Sequence, residues 1–208
     1  MCQLHNHFGD SMLVIGLTGG IGMGKSTAAG VFRRAGFPVF DADRAVHALQ
    51  APGGRALPSI AAAFPGTVGG QPPTLDRAAL RAAVLADPGA LRRLEAIIHP
   101  LVRAEERRFV ATVRRARARG VVLDIPLLLE TQGERRVDRV VVVSAPRALQ
   151  VARVLRRGRM NAAEIAAVIA RQMPDREKRR RADFVIRTGL SRHESRRAVR
   201  RVIEGLPA

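Results

Sequence analysis

The sequence predicts an α/β fold organised around a phosphate-binding loop, and three observations carry that prediction. An apolar run with strand character, Leu13–Leu17, feeds a glycine-rich turn and then the helical pattern Ala28, Ala29, Val31, Phe32, Ala35. The turn reads Gly19-Gly20-Ile21-Gly22-Met23-Gly24-Lys25-Ser26, a match to G-x-x-x-x-G-K-[ST]. Two further strand candidates, Val121–Asp124 and Val137–Val143, lie downstream among helical segments.

Each part of the loop has a physical task. The glycines let the backbone bring its N–H groups close to an anion. The helix that follows aims its unpaired N-terminal donors and its dipole at the same phosphates. Lys25 supplies a point charge for the β- and γ-phosphates of a nucleoside triphosphate. The hydroxyl of Ser26 is a ligand for Mg²⁺. A glycine-rich strand-to-helix turn that binds nothing is the plainer alternative, but the strand before and the helix after favour the binding loop.

The elements follow in order. Met1–Ser11 is polar, holds His5 and His7 without periodicity, and reads as a disordered extension or as residues upstream of a start near Met12. The first helix spans about Lys25–Arg34 and stops at Gly36. A short strand, Phe37–Phe40, ends in Asp41-Ala42-Asp43 and is followed by a helix over Arg44–Leu49. Acids at the carboxyl end of a strand sit where open α/β sheets place ligands. Either acid could instead cap that helix; Asp43 is a candidate to orient and deprotonate an acceptor hydroxyl. A short helix over Ala56–Phe64 precedes a Gly/Pro-rich loop, Pro65–Pro73, and Thr74 is placed to cap the next helix. Asp87-Pro88 opens another, with the stripe Leu91, Leu94, Ile97, Ile98, that should stop near His99-Pro100. A long basic helix then runs from Leu101 to Arg119. His99 reads either as a structural residue or as a catalytic one. The helical block 45–119 is too long for a simple crossover and reads as an inserted substrate subdomain.

Val121–Asp124 is a buried strand ending in an acid, the place for a second Mg²⁺-linked carboxylate. Loop 125–130 leads to the strand Val137–Val143, then to a helix over Arg147–Arg157 broken at Gly158. Arg153 and Arg157 share a face of it, as a solvated charged face or as a lid that brings arginines to a transferring phosphoryl group. Asn161 and a helix over Ala162–Gln172 complete a helix–turn–helix lid. A basic run, Lys178–Arg181, a last strand, Ala182–Ile186, and a helix over Arg192–Ile203 finish the chain.

Composition narrows the functional classes. The chain has 208 residues, 47% of them hydrophobic, as a globular domain needs. Its one cysteine, Cys2, permits no internal disulfide and suits a cytoplasmic location. No apolar stretch is long enough to span a bilayer. The formal charge is +18, almost all arginine, with Lys25 and Lys178 as the only lysines. Such a charge suits either a nucleic-acid partner or anionic small substrates. With no Trp or Tyr, base stacking would fall to Phe, His or Arg. No Asn-Lys-x-Asp motif follows the strands, which argues against a guanine-specific GTPase.

The ordered set of motifs resembles the dephospho-CoA kinase family from Leu13 to about Ala208. It comprises the loop from Gly16 to Ser26, Asp41-Ala42-Asp43, Leu75-Asp76-Arg77 with Leu80, and Ile97-Ile98-His99-Pro100-Leu101-Val102. Asp124-Ile125-Pro126-Leu127-Leu128 with Glu130, then Arg153, Arg157 and Gln172, and Ala182-Asp183-Phe184-Val185-Ile186 complete it. The resemblance implies a P-loop nucleotide-kinase-like fold: a five-stranded parallel sheet flanked by helices, a helical acceptor-binding insertion (45–119) and a helical lid (147–181). The core would be 12–44, 120–146 and 182–208. It implies ATP-dependent phosphorylation of the ribose 3′-hydroxyl of dephospho-coenzyme A, the last step of coenzyme A synthesis, with ATP and Mg²⁺ and neither a nucleic acid nor a membrane as partner. Asp43 matches the general base, Lys25 and Arg153 the groups at the transferring phosphate, and Arg157 a second lid arginine. Gly22, Met23, Gly24, Lys25, Ser26 and Thr27 match the phosphate-binding segment. Arginines of the 92–119 region are candidates for the acceptor's pyrophosphate. Two departures stand out: Met23 replaces a usual Ser, and Arg187-Thr188-Gly189 lacks the Asn that often follows the last strand.

Overall fold

The computed structural model describes residues 12–158 and 160–207. The segment Met1–Ser11, with His5, His7 and Cys2, lies outside the described residues. In chain order the elements are β1 (Leu13–Thr18), α1 (Lys25–Arg34), β2 (Val39–Asp41), α2 (Ala42–Leu49), α3 (Leu57–Ala63), β3 (Val68–Gly69) and β4 (Thr74–Leu75). There follow α4 (Arg77–Ala86), α5 (Ala90–Arg115), β5 (Gly120–Asp124), β6 (Arg139–Ser144), α6 (Arg147–Leu155), α7 (Ala162–Ala170), α8 (Asp175–Arg180), β7 (Phe184–Arg187) and α9 (Arg192–Glu204).

Five strands form one sheet in the order β2-β5-β1-β6-β7. β1 lies at its centre, paired in parallel with β5 (Leu17 beside Asp124) and with β6 (Leu17 beside Val141). β7 joins β6, also in parallel. Parallel strands covered on both faces read as unbroken apolar runs rather than alternating ones. β6 demonstrates why: Val141 and Val143 pack with Phe32 of α1 and Val199 of α9, while Val140 and Val142 pack with Leu128 and Leu129 on the opposite face. Phe32, fully buried, meets Phe37 edge-on with ring centroids 5.8 Å apart.

The chain divides into two compact units. One holds the described residues up to Phe40 and from Thr112 onward; the other is Asp41–Ala111. The second has its own core, built from Leu49, Leu57, Ile60, Phe64, Leu80 and Ile98. Among the described residues no helix is long and apolar enough to cross a membrane.

Several local expectations are corrected. Pro100 does not end a helix: it sits inside the 26-residue α5. Proline forfeits one hydrogen bond and strains the preceding turn, a cost of about 3 kcal/mol. Leu94, Ile97 and Ile98 before it and Leu101 and Val102 after it all pack into the same core, so shared burial carries the helix across. Thr74 does not cap α4; it lies in β4, and Asp76 caps the helix by accepting from the Ala78 and Ala79 N–H groups. The 65–73 loop contains β3, which pairs with β4 in a small antiparallel hairpin. Asp87 closes a tight turn onto the Gly89 N–H (2.6 Å), so α5 begins at Ala90 rather than at Pro88. The basic run Lys178–Arg181, given no structure above, begins on a helix, α8, where Lys178 is buried.

Phe32→Ala should lower the unfolding free energy by about 3–5 kcal/mol, the usual cost of deleting a fully buried aromatic ring. Denaturant melts followed by circular dichroism would measure it. A loss below about 1 kcal/mol would mean that the core between α1 and the sheet refills the space.

Candidate active site

β1 delivers the chain to the phosphate loop from the centre of the sheet. At the far end of the loop Gly24 is the N-cap of α1 in the left-handed conformation (φ 97°), which a side chain would strain. The first helical bonds run from the Thr27 and Ala28 N–H groups to Gly24 O. The N–H groups of Lys25 and Ser26 therefore stand outside the helical ladder, with the positive end of the α1 dipole behind them. No side chain caps this helix. A loop with open donors at an uncapped helix N-terminus is a fit for phosphate oxygens.

The Lys25 ammonium reaches across to the Asp124 carboxylate at the end of β5 and forms an ion pair. Asp124 is buried, and Ser26 is exposed at the start of α1. A hydroxyl and a carboxylate are hard oxygen donors, the kind Mg²⁺ accepts. Among the described residues no group of three or more His, Cys, Asp or Glu could hold a metal. These two residues therefore suit an ion that takes most of its ligands from phosphates and water.

The carbonyl side of the loop is fastened by residues far away in sequence. Thr188, just after β7, donates its hydroxyl to Met23 O (2.5 Å). Arg153 on α6 donates to the Thr188 hydroxyl (3.0 Å), to Thr188 O (2.6 Å) and to Gly22 O (3.4 Å). The buried Met23 side chain accepts at its Sδ from the Ala145 N–H (2.9 Å), which gives this departure from the family pattern a packing role. Ile21 is gripped on both sides of its backbone: Gln150 Nε2 donates to Ile21 O (2.8 Å), and the Ile21 N–H donates to Gln172 Oε1 (3.1 Å). A Cβ at Gly20 would come within 3.1 Å of both amide side chains and crowd them.

Beside the loop opens a pocket of about 360 Å³, lined by Gly22, Gly24, Arg153, Arg156, Arg157 and Arg192 among others. Partial burial, and then the guanidiniums of Arg156 and Arg157, push the Arg153 pKa below its ordinary value. Crowded like charges favour an anionic occupant, because an anion relieves their mutual repulsion.

The predicted residues divide between the two units. Lys25, Ser26, Thr27, Asp124, Arg153 and Arg157 belong to the sheet unit, with the loop glycines and Met23. Asp43 belongs to the 41–111 unit, where it is exposed in the first turn of α2. The capping duty falls to Asp41, whose side chain accepts from the Arg44 N–H (3.0 Å). His99 is exposed within α5. Sequence reasoning missed Gln150, noted Thr188 only within a departure from the family pattern, and attached no task to Gln172 or Lys178. Lys178 is almost wholly buried and pairs with Glu130 (2.7 Å), which also accepts from the Met173 N–H (2.9 Å). The one available signal was that a chain rich in arginine keeps a lysine at only two positions.

The dephospho-CoA kinase family model matches residues 13–192. A dephospho-CoA kinase of Gluconobacter oxydans is 54% identical over 199 residues, covering 94% of this chain and 98% of the relative. One from Paramagnetospirillum magneticum is 61% identical over 168 residues, covering 81% of this chain and 78% of its own. The crystal structure of TT1252 from Thermus thermophilus superposes with a TM-score of 0.79 at 37% identity, covering 95% of this chain and 99% of that one. The dephospho-CoA kinase of Campylobacter jejuni, 24% identical, shares the fold with a TM-score of 0.69 over 92% of this chain and 95% of its own.

Exchanging the two glutamines tests the grip on Ile21. Gln150→Glu removes the donor and sets a carboxylate against Ile21 O, and should weaken ATP binding about tenfold, the scale of one lost buried hydrogen bond. Gln172→Glu keeps an oxygen acceptor for the Ile21 N–H and should weaken it less. Equilibrium titration with ATP would read both; equal losses would show that the amides act through packing alone.

Proposed function

The chain belongs to the dephospho-CoA kinase family, and from that membership we propose how its residues divide the work of the family reaction. That reaction is ATP-dependent phosphorylation of the ribose 3′-hydroxyl of dephospho-coenzyme A, giving coenzyme A and ADP, the final step of coenzyme A biosynthesis.

The triphosphate of ATP is held by the loop from Gly22 to Thr27 through backbone N–H groups, with Lys25 balancing charge at the phosphate that transfers. Asp43 takes the proton of the 3′-hydroxyl as its oxygen bonds to the γ-phosphorus and the bond to the β-phosphate oxygen breaks. Arg153 and Arg157 stabilise the charge that develops on the phosphoryl oxygens. Mg²⁺, when bound through Ser26 and Asp124, would neutralise part of the phosphate charge. The observation that carries this division is the phosphate loop itself. Its N–H groups are open at the start of α1, its carbonyl groups are fastened from behind, and four arginines line the adjoining pocket. Asp43 is supported as the base by its exposure and by Asp41 having taken the cap of α2. A cytoplasmic location and a small-molecule partner are the matching cellular reading.

A coupled ADP-release assay with Mg-ATP should show turnover with dephospho-coenzyme A and not with AMP or single-stranded DNA. ATP hydrolysis stimulated by DNA would make the basic surface a polyanion site instead. Asp43→Asn should lower kcat by about 10²–10⁴ with the KM for ATP nearly unchanged. A lost affinity for ATP in that variant would make Asp43 a structural residue. Lys25→Ala should depress turnover severely; unaltered kinetics would contradict the role given to the phosphate loop.

A further inference from the structure

We propose that Arg77, set by Gln50 and His47, is the subsite of the 41–111 unit for the diphosphate of the acceptor. The inference rests on the functional reading above and names the group that recognises the charged part of that substrate.

Arg77 stands at the first position of α4, behind the Asp76 cap. Its guanidinium donates to Gln50 Oε1 (3.1 Å) through one terminal nitrogen and lies 3.4 Å from His47 Nδ1 through the other. Both partners are neutral acceptors when the imidazole nitrogen is unprotonated. Elsewhere in the same unit Arg55 pairs with Glu105 and Arg93 with Asp87. Arg44, Arg81, Arg92, Arg103 and Arg107 make no ion pair among the described residues either, but Arg77 differs from them in being held by two side chains that carry no negative charge. Among the described residues no carboxylate makes an ion pair with Arg77, and Asp76 spends its Oδ1 on the amides of Ala78 and Ala79. Arg77 is thus an exposed cation held in one orientation with its charge unspent, and it keeps further N–H donors for a ligand. A guanidinium in this condition suits an anion with several oxygens, to which it can donate in parallel.

Its position relative to Asp43 selects which anion. Asp43 and His47 are i and i+4 on α2 and share one face, and Gln50, the C-cap at i+7, follows them at the end of the helix. At 1.5 Å per residue His47 is about 6 Å and Gln50 about 10 Å along the axis from Asp43. Arg77 is fastened to the far end of this row. In dephospho-coenzyme A the 3′-hydroxyl and the 5′-diphosphate are carried by one ribose, so the two groups are held a short, fixed range apart. A ribose lying along α2 with its hydroxyl at Asp43 therefore brings the diphosphate to Arg77. The same spacing gives a reason for specificity: an acceptor without that diphosphate leaves the fixed cation unanswered.

Steady-state kinetics of the full chain, with dephospho-coenzyme A and ATP varied separately, tests the assignment. Arg77→Ala should raise the KM for dephospho-coenzyme A by about 10- to 100-fold, the range of a lost charge-assisted contact. The KM for ATP and kcat should hold, as expected when binding common to ground and transition states is removed. Gln50→Leu keeps the cation but loosens it, and should raise the same KM by a smaller factor without touching the others. An unchanged KM for dephospho-coenzyme A in Arg77→Ala would overturn the subsite while the functional reading stands. So would a fall in kcat with both KM values unmoved, the mark of a merely structural disturbance near Asp43. A wild-type chain inactive on dephospho-coenzyme A would overturn the functional reading and the subsite together.

Discussion

A loop that offers its N–H groups to a phosphate cannot use those groups to hold itself in shape. That constraint governs the sheet unit. The loop after β1 is fastened by its other polar atoms: Ile21 O by Gln150, Met23 O by Thr188, Gly22 O by Arg153. Two N–H groups of the loop are drawn inward: that of Ile21 is met by a side chain, Gln172, and that of Met23 by Gly20 O. Buried backbone polar groups left without partners would each cost about 1–3 kcal/mol, so the surrounding helices are committed to meeting them. Thr188 does this at the end of β7, the position where the family pattern led one to expect Asn. The grip comes from both ends of the 147–172 segment, since Gln150 lies on α6 and Gln172 just past α7. The arginines of α6 are thereby positioned by the same contacts that shape the loop.

Lysine usage follows from a related economy of donors. A guanidinium carries five N–H groups in a rigid fork, whereas an ammonium is a compact charge on a flexible stem. Both lysines point into confined places, Lys25 to Asp124 and Lys178 to Glu130. The Lys178 side chain is 1% exposed. An arginine there would have to fit a larger, planar, rigid head into a fully packed site. Glu130 already has one buried oxygen, Oε2, without a hydrogen-bond partner. The surface, by contrast, can carry arginine freely, because water satisfies whatever the protein does not.

The 41–111 unit obeys a different logic. Its core is a set of helices closed over Leu49, Leu57, Ile60 and Ile98, and that burial is strong enough to carry α5 through Pro100. The polar residues of α2 are left over from the packing. Leu49 goes to the core, Val46 packs against it, and Asp43 and His47 stay exposed on the remaining face. The capping of α2 by Asp41 completes the separation of structural from chemical duties within three residues.

Much of the molecule was legible in the sequence because its signals are local. A strand, a glycine turn, Lys25 and a helix are adjacent in the chain, and covalent geometry alone brings them together. The same holds for the valine run of β6 and for Asp124 at the end of β5. Where a local rule competed with burial, burial won, as at Pro100. The fastening of the phosphate loop was not legible, because Ile21 meets Gln150 and Gln172 across 129 and 151 residues. No spacing rule connects residues so distant. What the sequence by itself determined was the fold class, the phosphate loop and the chemical kinds of its residues. Which amide holds Ile21, which hydroxyl holds Met23, and which arginine is fixed by Gln50 and His47 were decided only by the tertiary structure, because each depends on which side chains packing brings within hydrogen-bonding distance.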